Sequence, residues 1–200
     1  MSLAPDPYID GETGVLWNLV EAETRKDLAA AESDLTTART VQLLDHDLIE
    51  HTRDLLEVCA LHRQLFQDVY AWAGEIRTID MRRGEGHFFA PCGDIELNAH
   101  HIFASLRREN CLKGLGKEQF LVRLADFYDQ LNYVHPFREG NGRTQRLFWS
   151  RVAFDAGWVL DWRPIHGGLL DEVSRLAREE RNLLPLREAL EQCLFPLSRE

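Results

Sequence analysis

Residues 117–133, KEQFLVRLADFYDQLNY, put Phe120, Leu121, Leu124, Phe127, Tyr128 and Leu131 along one side of a helix. Apolar side chains three and four apart share a helix face and commit it to burial. The pattern stops at His135-Pro136, because proline disfavours the αR conformation of the residue before it. Helical character returns over about residues 143–156. The chain therefore folds as two helices joined by residues 135–146, HPFREGNGRTQR. That connection holds one His, one carboxylate, three Arg, an Asn and two Gly. A plain helix-to-helix turn needs none of this chemistry, so the polar groups predict a ligand site.

Other segments follow the same logic. Residues 24–38 are rich in Ala and charge and predict a helix. Residues 45–73 carry Leu48, Leu55, Val58, Leu61, Leu65 and Val69 at helical spacing. They predict one long helix with Asp45 or Asp47 at its start and Gly74 at its end. Further helices are predicted over about residues 94–110 and within about 168–193, the last interrupted near Pro185. In residues 76–91, Ile76, Thr78, Ile79, Phe88 and Phe89 flank a Gly-containing turn, RRGEG, which predicts a short hairpin. Residues 1–14 read as an extended head. The predicted fold class is mainly α, a helical bundle with one small β-hairpin. With 200 residues and 44% apolar content, one domain spanning 1–200 is expected, with its core over about 40–160.

The formal net charge of −10 argues against an extended nucleic-acid face, which needs clustered positive charge. Positive charge is local instead: Arg138, Arg143 and Arg146 lie in the connection and suit a small anion. No run of about 18 apolar residues appears, so no membrane span is expected. The N-terminus lacks a basic-then-apolar pattern, and the expectation is a cytoplasmic protein or one delivered by a machine that reads no such signal. Cys59, Cys92, Cys111 and Cys193 form no CxxC pair and read as reduced, structural thiols.

Within the connection each residue type has a chemical use. Gly140 and Gly142 let the backbone turn sharply and approach a ligand. The following helix then begins at about Asn141 to Arg143, with free N–H groups and a positive dipole end facing the loop. Arg143 and Arg146, three apart, share a helix face and suit phosphate oxygens. Glu139 offers a hard oxygen ligand for Mg²⁺ shared with substrate phosphates. His135 accepts a proton near neutral pH. Together these groups describe attack of a hydroxyl on phosphorus.

With these residues in place, the chain resembles the Fic family. Residues 135–146 match its motif, HxFx(D/E)GNGRxxR, at every specified position: His135, Phe137, Glu139, Gly140, Asn141, Gly142, Arg143 and Arg146. FQDVYAWAGEIR (66–77) is similar to the segment before the family's flap hairpin, and FFAP (88–91) resembles the flap's second strand. DPYIDGETGVL (6–16) resembles the head of small toxin-type members. The resemblance runs from about residue 5 to 195. It implies the Fic fold, with the flap at about 76–91 beside the motif loop at 135–146.

The resemblance also implies an activity: a protein adenylyltransferase that moves AMP from ATP, with Mg²⁺, to a Ser, Thr or Tyr hydroxyl of another protein. On that reading His135 is the general base, Phe137 anchors the loop from inside, and Glu139 holds Mg²⁺. The backbone of Gly140, Asn141 and Gly142 forms an anion hole, and the Asn141 side chain helps fix the α-phosphate. Arg143 contacts phosphates and Arg146 grips the γ-phosphate. The flap residues Gly84, Glu85, Gly86, His87, Phe88 and Phe89 lay an extended target segment along their edge. Intact GNGR favours nucleotidyl transfer over the phosphate transfer of the Doc type. Donors such as UTP or CDP-choline stay open, because base recognition lies outside the motif. A non-catalytic nucleotide- or partner-binding module is the other alternative.

The toxin half of a toxin–antitoxin pair is the role this resemblance favours, with type II topoisomerases a prominent target class. Effector-type relatives act on host GTPases instead. The family's inhibitory signature, (S/T)xxxE(G/N), has one literal match, SLRREN (105–110), misplaced between flap and motif. SRLAREERN sets Ser174 and Glu179 one residue out of register. The expected restraint is therefore a small antitoxin that brings its own Glu to Arg146.

The remaining features read as structure. His46, His51 and His62 fall on the predicted long helix as surface or core polar groups. His100 and His101 are adjacent and share no helix face. No HExxH is present, and no zinc site is assigned. Tyr70 and Trp72 continue an apolar stretch and read as packing groups.

Overall fold

The computed structural model describes residues 6–46, 48–84, 86–165 and 167–198. The fold is mainly α. Helix α1, Arg25–Asp45, begins at Thr24, whose hydroxyl oxygen accepts from the Asp27 N–H. Helix α2, Leu55–Phe66, begins at Asp54, whose carboxylate accepts from the Leu56 and Glu57 N–H groups. The single long helix predicted over 45–73 is thus corrected to the end of α1, a loop and α2. Capping chemistry overrides the apolar period there. Arg53 takes φ 53°, its N–H bonds the Glu57 carboxylate, and its guanidinium pairs with Glu57 and Asp155. Asp45 ends α1 instead of starting a helix, and Asp47 lies outside the described residues. Gly74 ends no helix, since α2 stops at Phe66, but its φ of +85° lets the chain turn back against Arg63.

Helix α3 is Ile95–Arg108, α4 is Lys117–Val134 and α5 is Asn141–Asp155. Strand β1, Trp158–Leu160, follows, then α6, Gly167–Glu179, and α7, Leu184–Cys193. Pro185 stands in the first turn of α7, so the kinked final helix of the sequence reading is two separate helices. Strand β2, Leu194–Pro196, returns antiparallel to β1, with Val159 opposite Phe195. This short pair was not anticipated. The predicted hairpin at 76–91 is present as one antiparallel bridge, Arg82 to Phe88, with the Phe89 N–H bonded to the Met81 carbonyl.

All six apolar positions that defined the predicted α4 face are buried. They join Phe148, Trp149 and Val152 of α5 in the main core. Burying each such large side chain contributes roughly 1.5–3 kcal/mol. A second cluster, including Val15, Leu28, Leu65, Phe66 and Tyr70, ties the head and α1 to α2. Leu147 of α5 packs against both clusters. The α4–α5 connection is therefore anchored in the main core and faces the second. No helix among the described residues is long and apolar enough to cross a membrane.

Candidate active site

His135 caps α4 in the left-handed region, φ 46°, with its N–H on the Leu131 carbonyl. That turn swings the loop out of the helix axis. Arg77, only 2% exposed, then holds the loop from beneath. Its Nε donates to the His135 carbonyl at 2.8 Å, and its own N–H donates to the Pro136 carbonyl at 2.9 Å. Its terminal nitrogens donate to the carbonyls of Ile79, Ala90 and Val134. One guanidinium thus joins both arms of the flap to the motif loop.

Inside the loop, Phe137 is fully buried, as an anchor must be. The Asn141 side chain accepts from the Phe137 N–H and donates to the Phe137 carbonyl. Its amide oxygen and nitrogen are both engaged in closing the loop. Gly140 has φ +81°, and a Cβ there would lie 2.4 Å from the Phe66 ring. Glycine is required both by conformation and by space. Gly142 differs: it is exposed at the start of α5, and a Cβ would meet only Arg146, at 3.5 Å. Its freedom leaves room for a ligand at the helix end.

His62 was read as an ordinary polar group, and the structure gives it a larger part. It is completely buried and stacks on Phe137 at 3.8 Å between centroids. Its Nδ1 accepts from the Gly74 N–H at 2.8 Å, so Nε2 carries the hydrogen donated to the Glu139 carbonyl at 3.0 Å. Burial holds the imidazole neutral, pushing its pKa down to about 4. The unfolded chain binds a proton near pH 6.5, and the folded chain does not until about pH 4. Stability from this residue is complete above pH 6.5 and falls as pH drops through that window. The slope is about 1.4 kcal/mol per pH unit. Urea titrations at pH 7 and pH 5 should show this loss, and His62→Gln should show a smaller pH dependence. An equal pH dependence in both proteins would contradict the neutral assignment.

His135 lies 3.6 Å from Phe89 of the flap, ring on ring at 9°. Its Nδ1 faces the Asn132 carbonyl at 3.3 Å. A carbonyl accepts only, so Nδ1 carries the hydrogen and Nε2 keeps a free lone pair. Burial first, then the Arg178 charge, push its pKa down to about 3. His135 and Gly142 line one cavity of about 530 Å³ between the flap and α6. Base and helix end therefore open on the same space.

The α5 N-terminus has no side-chain cap, so its first N–H groups are available to an anion. Arg143 and Arg146 flank it, and both line a second cleft with Thr36, Thr40 and Trp162. Arg146 has no ion pair with a described residue. Arg143 pairs with Glu32 of α1 and lies 3.5 Å from Glu139. Glu32 is itself buried and accepts from the Tyr70 hydroxyl. Burial, then this bond, hold the Tyr70 phenol far above its usual range. Tyr70 thus belongs to packing, as expected, and reaches Arg143 through Glu32. The Glu139 carboxylate is 44% exposed and accepts from the Gly140 N–H. One accessible carboxylate beside an uncapped helix end and two arginines fits Mg²⁺ held jointly with phosphates.

The flap residues are placed unevenly. Gly86, His87 and Phe89 line the cavity over His135. Phe88 is exposed beneath Arg82, and Gly84 takes φ +56° at the turn. Glu85 lies outside the described residues. The opposite wall is α6, which sequence reasoning did not assign to the site. Neither glutamate of the two inhibitory-like stretches reaches Arg146: Glu109 pairs with Arg123, and Glu179 with Arg175. Signals for the missed groups were weak. His62 sits four residues after Val58 on the apolar stripe, which was the one hint that it is buried.

Comparison with known proteins places these features. The chain is 36% identical over 160 residues to the probable protein adenylyltransferase Fic of Salmonella typhimurium, covering 80% of this chain and 78% of that one. It is 40% identical over 157 residues to the protein adenylyltransferase VbhT of Bartonella schoenbuchensis. That match covers 78% of this chain but 32% of VbhT. The solved structure of BepC, a VirB-translocated effector of Bartonella tribocorum with bound AMPPNP, superposes with a TM-score of 0.90 at 24% identity. It covers 96% of this chain and 97% of that chain, and shows the shared fold. Residues 52–153 match the model of the Fic/DOC family, spanning α2, the flap, α4 and the motif loop, and the chain belongs to that family.

Proposed function

We propose that the chain is a protein adenylyltransferase that transfers AMP from ATP to a hydroxyl of another protein. One observation carries this reading: a neutral His135, its Nδ1 engaged by the Asn132 carbonyl, lines the same cavity as the exposed Gly142 at the uncapped end of α5. The hydroxyl oxygen attacks the α-phosphorus, Nε2 takes its proton, and pyrophosphate leaves. The N–H groups of the α5 N-terminus receive the developing charge. Arg143 and Arg146 hold the phosphates from their common helix face. Glu139 would hold Mg²⁺, which would supply positive charge against the phosphates there. The names of the relatives at 36% and 40% identity support the activity class.

The target lies along the flap edge, where main-chain pairing admits many sequences. A toxin role is part of this reading, with type II topoisomerases the first targets to test. A separate small protein then restrains the enzyme by presenting a carboxylate to Arg146.

The test incubates the full chain with bacterial lysate, Mg²⁺ and α-labelled ATP, with α-labelled UTP, labelled CDP-choline and γ-labelled ATP in parallel. Protein label from α-labelled ATP is expected, reduced at limiting ATP in Arg146→Ala. Label from another donor alone, or only from the γ position, overturns the nucleotide assignment.

A further inference from the structure

Helix α6 reaches the flap along its length. Asp171 pairs with Arg83 at 2.8 Å, and the Glu179 carboxylate abuts Gly86. Between them, Arg178 lies with its guanidinium carbon 4.5 Å from the Phe89 ring centroid and 5.6 Å from that of Tyr133. Phe89 in turn lies ring on ring with His135 at 3.6 Å. Cation, phenyl ring and imidazole are therefore in continuous contact.

Arg178 is half-buried, with one terminal nitrogen sealed from solvent. Its Nη2 has no hydrogen-bond partner, and neither does the buried Asp129 Oδ1 of α4. Burial pushes the Asp129 carboxyl up and the Arg178 guanidinium down, each partly offset by the charge of the other. An apolar side chain would fill this space without the desolvation, but without a flat cation over the Phe89 ring. A half-buried, imperfectly paired cation calls for a role beyond filling space.

We propose that Arg178 is a positioning residue for the transfer reaction: it holds Phe89 against His135, and its charge adds to the effect of burial on that imidazole. The proposal rests on His135 acting as the base. The ring contact sets the imidazole plane, so Nε2 stays directed as the Asn132 bond orients it. The charged groups acting on His135 are Arg178 from α6, Arg77 beneath the loop and Arg83 on the flap, all cationic. The acids of α6 on this cavity are engaged elsewhere: Asp171 with Arg83, and Glu172 and Glu179 with Arg175. Asp129 tempers Arg178 from the α4 side.

Histidine-labelled full-length protein, titrated by NMR, tests this directly. In the wild type, His135 is expected to stay neutral well below pH 5 and to show a ring-current shift from Phe89. In Arg178→Leu, the His135 midpoint rises by about one unit or more, as expected on removing a like charge nearby. Its ring-current shift also weakens. Protein label from α-labelled ATP falls about tenfold at pH 7.5, because the imidazole is no longer held in place. Arg178→Lys keeps the charge and loses the planar contact, so the midpoint stays low while the ring-current shift weakens. This second variant carries the test if Arg178→Leu does not fold. An unchanged midpoint in Arg178→Leu, or an unchanged ring-current shift in Arg178→Lys, overturns the proposal. Transfer that persists in His135→Ala would instead defeat the base assignment and leave the NMR readout standing.

Discussion

His135→Ala is expected to lower protein labelling from ATP by about 10²–10⁴-fold, the usual contribution of a positioned general base. The cause is specific to one atom. The Asn132 carbonyl engages Nδ1, and burial and nearby guanidinium groups keep the ring neutral. Only Nε2 is left to take a proton. The groups proposed to bind phosphate and Mg²⁺, on α5 and at Glu139, make no hydrogen bond to the imidazole, whose ring partner is the Asn132 carbonyl. Nucleotide affinity of the variant should therefore remain near that of the wild type. Equilibrium binding of ATP beside gel labelling separates the two quantities. Near-normal labelling would remove His135 from the chemistry. Lost binding together with lost labelling would instead mean that the ring holds the loop.

Arg77→Met is expected to be the most destabilising single change, by about 3–5 kcal/mol. Methionine keeps much of the volume but removes every donor of a nearly inaccessible guanidinium. The carbonyls of His135, Ile79, Ala90 and Val134 then lose a partner at once. Each unsatisfied buried carbonyl costs roughly 1–3 kcal/mol, and water entry recovers part of the sum. Because these carbonyls belong to the flap and the motif loop, local opening of both should accompany the loss. Urea unfolding with hydrogen exchange measures both effects. A change under about 1 kcal/mol would show that Arg77 is replaceable by water.

The arrangement of α4, motif loop and α5 was legible in the sequence. The apolar period of residues 117–133 and the αR restriction before Pro136 are local facts, and each survives in the structure. Helix α2 was misjudged because the same period runs through 45–73, while the Asp54 cap and the buried Arg53 break it. A period states which face is buried but not where hydrogen bonding is interrupted. The short β1–β2 pair escaped notice because three-residue strands carry too little alternation to read.

By itself the sequence determined the inventory of the candidate site: one imidazole, one carboxylate, two arginines on one helix face and two glycines at motif spacing. These are local chemistry, set by the helix period and by what each side chain can donate or accept. Only the tertiary structure decided what holds them. His62 meets the carbonyl of Glu139, Glu32 meets Arg143, Arg77 meets the carbonyls of both flap and loop, and Arg178 meets Phe89. Apart from Arg77 with the flap, the two members of each contact are separated by many residues along the chain. Which segments come together depends on the packing of the whole core, and no local period or motif encodes that.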